Sequence, residues 1–189
     1  MSNILIAGVG GQGTLLASRI LGNVAITLGH DVKVSEVHGM SQRGGSVVTY
    51  VKFGEKVYSP IIGNCDADTV LAFEELEAYR YLEALKPDGK LIVNTQNMDP
   101  MPVITGKMTY PENIIEKIRA KGVNVIAVDA LSLARKAGNE RAVNVVLIGV
   151  LAANTNIDKA VFEKVIKETV PEKFREVNLK AFDLGYNFA

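Results

Sequence analysis

The chain has 189 residues, 48% of them hydrophobic, and its 21 Lys and Arg balance 21 Asp and Glu for a formal net charge of +0; it can bury one sizeable core. A balanced charge without a basic stripe argues against a nucleic-acid partner, where clustered cations must neutralise phosphates. One cysteine, Cys65, with His30 and His38 as the only histidines, cannot supply the four ligands of an iron–sulfur cluster or structural zinc site within this chain, nor an internal disulfide.

Ile4-Leu5-Ile6-Ala7 reads as a buried parallel strand and Thr14 to Leu28 as a helix. Gly8-Val9-Gly10-Gly11-Gln12-Gly13 therefore falls at a strand-to-helix turn, where backbone N–H groups and a helix N-terminus suit an anion. The same glycines also serve a tight turn and close helix–sheet packing. A dinucleotide fold next requires a strand ending in an acid, then a helix, and Glu36 has the spacing of the ribose-binding acid. Beyond Glu36, however, comes a glycine-rich loop from His38 to Gly45. Ser46 to Phe53 and Lys56 to Ser59, around Gly54-Glu55, then make a hairpin pattern. A free-standing dinucleotide-binding oxidoreductase using Gly8, Gly10, Gly13 and Glu36 is the alternative that this hairpin disfavours.

Thr69 to Phe73 is a short apolar strand, and Glu74 to Leu85 a helix with Leu76, Tyr79 and Leu82 or Leu85 along one face. Pro87-Asp88-Gly89 turns into the strand Lys90 to Val93, which ends in Asn94-Thr95-Gln96. Asn97 to Thr109, with Pro100, Pro102 and Gly106, reads as a loop with a short strand near Val103. A helix from Glu112 to Lys121 stops at Gly122, a strand runs from Val123 to Val128, and Asp129 caps a short helix ending near Gly138. Ala142 to Ala153 is apolar almost all round, so it is a buried helix in which Gly149, Ala152 and Ala153 permit close approach. Asp158 caps a helix with Val161, Val165 and Ile166 inward, and Pro171 opens the final helix at its first position. Phe162, Phe174 and Phe182 are expected in the core. The sum is a single domain over 1–189, a three-layer α/β/α sandwich on a mixed, mostly parallel sheet with a β-hairpin excursion. No signal peptide and no run of membrane-spanning length is visible, so a cytoplasmic protein without a membrane partner is expected.

Gly10, Gly11, Gln12, Glu36, His38, Glu74, Asn94 and Thr95 all fall at or just after strand ends, where ligands collect in such sheets. His38, between glycines, is either a hydrogen-bonded structural group or a proton-transfer group. Arg43 suits a carboxylate or phosphate, or is a surface cation. Glu74, Glu75 and Glu77 are read as first-turn carboxylates complementing a helix dipole rather than as an acidic site. Asn144, a polar group in a buried helix, needs an interface or a loop carbonyl as partner.

Four stretches carry a resemblance over essentially the whole length. They are Gly8 to Thr14, Ser35-Glu36-Val37-His38-Gly39-Met40-Ser41-Gln42-Arg43-Gly44-Gly45-Ser46, Val57-Tyr58-Ser59-Pro60, and Asn178 to Gly185. On them the chain resembles the small (beta) subunits of indolepyruvate:ferredoxin oxidoreductases, relatives of the gamma subunits or domains of pyruvate and other 2-oxoacid:ferredoxin oxidoreductases. The resemblance implies a non-autonomous subunit of a heterodimer. Thiamine diphosphate and iron–sulfur clusters sit in the large (alpha) partner subunit, and this chain holds no cofactor. It also implies oxidative decarboxylation of an arylpyruvate, with ferredoxin as electron acceptor and coenzyme A as co-substrate that leaves as an aryl-acetyl thioester. Gly10, Gly11, Gln12, Gly13, His38, Gln42, Arg43 and Gly44 are then the candidates for lining a substrate or coenzyme A channel, with no catalytic or metal-binding residue assigned.

Overall fold

The computed structural model describes residues 2–39 and 45–188. It opens with β1 (Ser2–Val9), α1 (Thr14–Thr27), β2 (Asp31–His38), β3 (Ser46–Gly54) and β4 (Ala67–Ala72). There follow α2 (Glu75–Arg80), β5 (Leu85–Asn94), α3 (Met101–Ile104), α4 (Ile114–Arg119) and β6 (Asn124–Val128). The remainder is helical: α5 (Ala130–Ala137), α6 (Val143–Ala153), α7 (Lys159–Thr169) and α8 (Arg175–Tyr186).

The strands form one six-stranded sheet in the order β2-β3-β1-β4-β5-β6. The pairs β1–β4, β4–β5 and β5–β6 are parallel, while β3 runs antiparallel to both β1 and β2. This is the mixed, mostly parallel sheet expected. Strand β1 is buried on both faces, which its consecutive apolar residues require. Ile4 and Ile6 enter one core with Ile20, Val146, Phe162 and Phe182. Leu5 and Ala7, pointing the other way by strand alternation, enter a second core with Val70, Leu91 and Ile118. Helices α1 and α5 to α8 cover the first face; α2 and α4 cover the second.

The hairpin differs from expectation in its second arm. Ser46–Gly54 pairs with β2, with Val32 opposite Phe53 and His38 opposite Val47, and Lys56 to Ser59 forms no strand. The Asp31 carboxylate accepts the Val57 N–H at 2.9 Å, holding the chain after Gly54 away from a second antiparallel pairing. By pairing on both sides, β3 separates β1 from β2. The adjacent parallel pair of a dinucleotide fold is therefore missing, and that alternative loses its framework.

Smaller differences share a cause, since local pattern does not report tertiary packing. The helix expected to reach Leu85 ends at Arg80, and Leu85 opens β5. The segment around Val103 is the helical turn α3 rather than a strand. Pro171 precedes a 3-10 turn, Glu172–Phe174, before α8 begins, and Phe174 is 40% exposed instead of buried. Gly138 ends α5 with a φ of 109°, in the left-handed region that favours glycine, whereas α4 is shorter than expected and already ends at Arg119, before Gly122.

Candidate functional site

Strand β1 leads into α1 on one face of the sheet, and its neighbour β4 leads into α2 on the other. Such a divergence opens a crevice between the two strand ends, the usual ligand position in this architecture. Here side chains of the chain fill it. Gln12 Oε1 accepts the Val9 N–H at 2.8 Å, and its Nε2 donates to the Phe73 carbonyl and lies against Met98 Sδ, each at 3.2 Å. Asn94, 1% exposed, donates to the same carbonyl at 3.2 Å and accepts the Ala130 N–H at 3.1 Å.

Below this plug lie two buried carboxylates that the sequence presents only as first-turn acids. Glu74 caps α2 by accepting the Glu77 N–H at 2.9 Å, and it also accepts the Met98 N–H at 3.1 Å and the Tyr110 hydroxyl. Burial, then this carboxylate, pushes the Tyr110 hydroxyl above its ordinary pKa. Glu77, 2% exposed, accepts Ser46 Oγ at 2.5 Å and the Arg80 guanidinium at 2.6 Å. Burial nevertheless raises its pKa, because desolvation outweighs those two partners. The pairing of Ser46 with Glu77, 31 residues apart, leaves no mark in sequence spacing.

The glycine loop stands outside the plug. Gly11 and Gly13 have φ of 101° and 84°, so both positions favour glycine. The Gly10 N–H is held by the Gly45 carbonyl at 2.9 Å. No side chain caps α1, so N–H groups of its first turn are available to an anion. Facing them across an open cleft of about 420 Å³ are Glu36 and His38 from the end of β2, with Leu15 and Val47 completing the wall. His38 Nδ1 lies 3.7 Å from Glu36 Oε1, and Thr49 Oγ1 donates to Glu36 Oε2 at 3.3 Å.

A second open cleft, of about 760 Å³, lies on the other flank of the same loop. Gly11 to Gly13 face Gln96, Arg135 and Arg141 there, and Arg135 is paired with Glu140 at 3.6 Å. These arginines go unmarked in the sequence, because more than a hundred residues separate them from the glycines. The only local signal is a basic last turn in α5. Asn144 finds the loop carbonyl it needs, donating to Gly13 O at 3.3 Å.

Of the expected channel residues, Gly10, Gly11, Gly13 and His38 therefore line one cleft, while Gln12 joins the rim of the second with its amide turned inward. Gln42, Arg43 and Gly44 lie outside the described residues. Among the described residues no group of three or more His, Cys, Asp or Glu could hold a metal ion, and no helix is long and apolar enough to cross a membrane. The donor set does not fit an iron–sulfur cluster held by this chain alone.

Residues 3–188 match the pyruvate ferredoxin/flavodoxin oxidoreductase family. Indolepyruvate oxidoreductase subunit IorB of Thermococcus kodakarensis is 44% identical over 192 residues, covering 99% of this chain and 95% of that protein. Among solved structures, the gamma subunit of a keto/oxoacid ferredoxin oxidoreductase from Geobacter sulfurreducens superposes with a TM-score of 0.74 at 27% identity, covering 99% and 97% of the two chains. A 2-oxoglutarate:ferredoxin oxidoreductase from Magnetococcus marinus, determined with 2-oxoglutarate, coenzyme A and succinyl-CoA bound, shares the fold with a TM-score of 0.76 at 21% identity. It covers all of this chain and 31% of that longer one. The chain thus belongs to the pyruvate ferredoxin/flavodoxin oxidoreductase family, as a small subunit of the indolepyruvate:ferredoxin oxidoreductase kind.

Proposed function

We propose that this chain serves an arylpyruvate:ferredoxin oxidoreductase, with indolepyruvate as the leading substrate, and that it lines the channel by which substrate or coenzyme A reaches a larger partner subunit. The observation that carries the reading is the full-length likeness to an indolepyruvate oxidoreductase subunit. In the overall reaction the 2-oxo acid loses CO2, two electrons pass to ferredoxin, and the acyl carbon is joined to the sulfur of coenzyme A. Thiamine diphosphate and iron–sulfur clusters, held by the partner, supply the decarboxylation and electron transfer. This chain's task is to bind, orient and exclude water. The uncapped first turn of α1 and the arginine-bearing cleft suit the coenzyme phosphates or the substrate carboxylate. Arg43, between β2 and β3 in the sequence, is a further candidate for the same anions.

The test is co-expression with the large subunit, followed by a panel of 2-oxo acids with coenzyme A and ferredoxin. The complex turns over indolepyruvate in preference to pyruvate. The isolated chain neither binds thiamine diphosphate nor reduces an acceptor, and Arg43→Ala in the complex raises the KM for coenzyme A or for the acid. Oxidation of a 2-oxo acid by the chain alone would overturn the reading.

A further inference from the structure

The cleft between the glycine loop and the end of β2 contains one acid–base pair that the channel reading leaves without a task. Glu36 and His38 are two residues apart on one strand, so alternation points both to the same side. The Glu36 carboxylate is tethered by the hydroxyl of fully buried Thr49 and faces His38 Nδ1 at 3.7 Å. At 3.7 Å this contact is longer than a hydrogen bond, but the negative charge beside Nδ1 still favours the tautomer with its proton there, which leaves the Nε2 lone pair as an acceptor. The other described residues lining this cleft are glycines from the loop, Thr14 and Leu15 from α1, and Val47 from β3. Glu36 is thus the one charged side chain among them that faces the imidazole. The other histidine, His30, packs against the Phe53 ring at the opposite end of the sheet and cannot stand in for it.

We propose that His38, oriented by Glu36, accepts the thiol proton of coenzyme A as the acyl thioester forms. This rests on the channel reading. The balance of the reaction leaves one proton to be placed. The carbon–carbon bond to the carboxylate breaks and CO2 leaves, two electrons go to ferredoxin, and a carbon–sulfur bond forms as the S–H bond breaks. The released proton is that of the thiol, and the thiolate is the nucleophile. Nε2 takes the proton and passes it to solvent, to which the His38 side chain is 61% exposed. The negative Glu36 leaves the imidazole edge of this cleft to the neutral thiol end of the coenzyme, while the α1 first turn and the arginine-bearing cleft suit its phosphates or the substrate carboxylate. His38 is then the catalytic base and Glu36 its positioning residue.

The experiment uses the complex with the large subunit, as wild type, His38→Gln and Glu36→Gln, with assembly checked by gel filtration. Reduction of the clusters by arylpyruvate without coenzyme A reads the first half of the reaction, and thioester formation from pH 6 to 9 reads the second. His38→Gln leaves the first half unchanged and slows thioester formation about 100-fold at pH 7, the usual scale for a lost general base. The deficit shrinks as pH approaches the thiol's own ionisation at about 8.5. Glu36→Gln gives an intermediate loss. If thioester formation and its pH profile are unchanged in His38→Gln while Arg43→Ala raises the KM for coenzyme A, the base assignment falls and the channel reading stands. If neither variant changes either half, both fall.

Discussion

Two glycines, each inside a helix, should respond to the same substitution with opposite signs. Gly149 in α6 crosses α8 so closely that a Cβ built there would stand 2.2 Å from the Phe182 carbonyl oxygen and 2.8 Å from the Tyr186 nitrogen. A carbon–oxygen contact wants about 3.3 Å, so the helices must part by about 1 Å. The neighbour is backbone, which has no rotamer to escape into. A gap of that size forfeits a quarter to a half of each dispersion contact across the seam, and overpacking of this kind costs about 1–3 kcal/mol. Replacing glycine by alanine returns about 1 kcal/mol of helix propensity. With rigid backbone on the far side the upper end of the cost applies, and Gly149→Ala is destabilising by about 2 kcal/mol, a fall in Tm of about 4–8 °C for a chain of this length. Gly22 in α1 meets nothing nearer than Val34 Cγ2 at 3.7 Å, and Val34 is 44% exposed and free to yield. Gly22→Ala should then gain about 0.5–1 kcal/mol. Thermal unfolding followed by far-UV circular dichroism measures both. A Gly149→Ala protein as stable as wild type would show that the α6–α8 seam is looser than these distances imply, and the reasoning would fail.

The polar floor of the site yields other consequences. Asn94→Ala strands the Ala130 N–H and removes a donor from the Phe73 carbonyl; at about 1–3 kcal/mol for an unsatisfied buried group, it lowers the urea midpoint without altering the far-UV spectrum. Asp129→Ala removes the cap of α5 and costs about 1 kcal/mol near neutral pH. Hydrogen bonds from Ser132 hold the Asp129 carboxyl below its usual range. Its contribution is therefore complete above the unfolded pKa and lost as pH falls through the lower folded value, so the gap between wild type and variant closes in acid. Glu77 has the opposite sign. Its folded pKa is raised by burial, so ionisation weakens the fold as pH rises from the unfolded value through the folded one. Glu77→Gln should compare more favourably with wild type at pH 7 than at pH 4 in thermal melts, and a comparison that worsens with pH contradicts the burial argument.

The residues reveal by themselves what local pattern controls. The burial of β1, the helical α1, the all-apolar α6 and the caps at Asp129 and Asp158 come from periodicity and hydrogen-bonding chemistry confined to a few residues. The hairpin is legible as a hairpin but not in its partner. Gly54-Glu55 has turn chemistry, yet the stabilising ladder runs across residues 39–45 to β2, and no local rule ranks a longer connection with eight paired residues against a short one. Phe174 shows the same limit from the other side, since its hydrophobicity is no guide to which helix face meets the core. The site is half legible. Glycines at a strand end announce themselves, whereas Arg135 and Arg141 reach the loop only through the packing of α5 and α6. Gln12 has the look of a group reaching outward, but the free backbone groups at Val9 and Phe73 draw its amide inward.

That inward turn bears on why the chain is a subunit. In a self-sufficient α/β enzyme the crevice between diverging strand ends holds the ligand. Here Gln12 and Asn94 satisfy its backbone groups, and buried Glu74 and Glu77 tie the surrounding segments together. A ligand entering there would have to break several internal hydrogen bonds. The open clefts lie instead on either flank of one glycine loop, one carrying an imidazole and a carboxylate, the other two guanidinium groups and the Glu140 carboxylate paired with one of them. Both are open to solvent, so neither can exclude water from a reacting carbon by itself. On the proposed role, a second molecule must close over such a surface. A plugged crevice beside two open flanks is therefore the arrangement that the proposed channel-lining role requires.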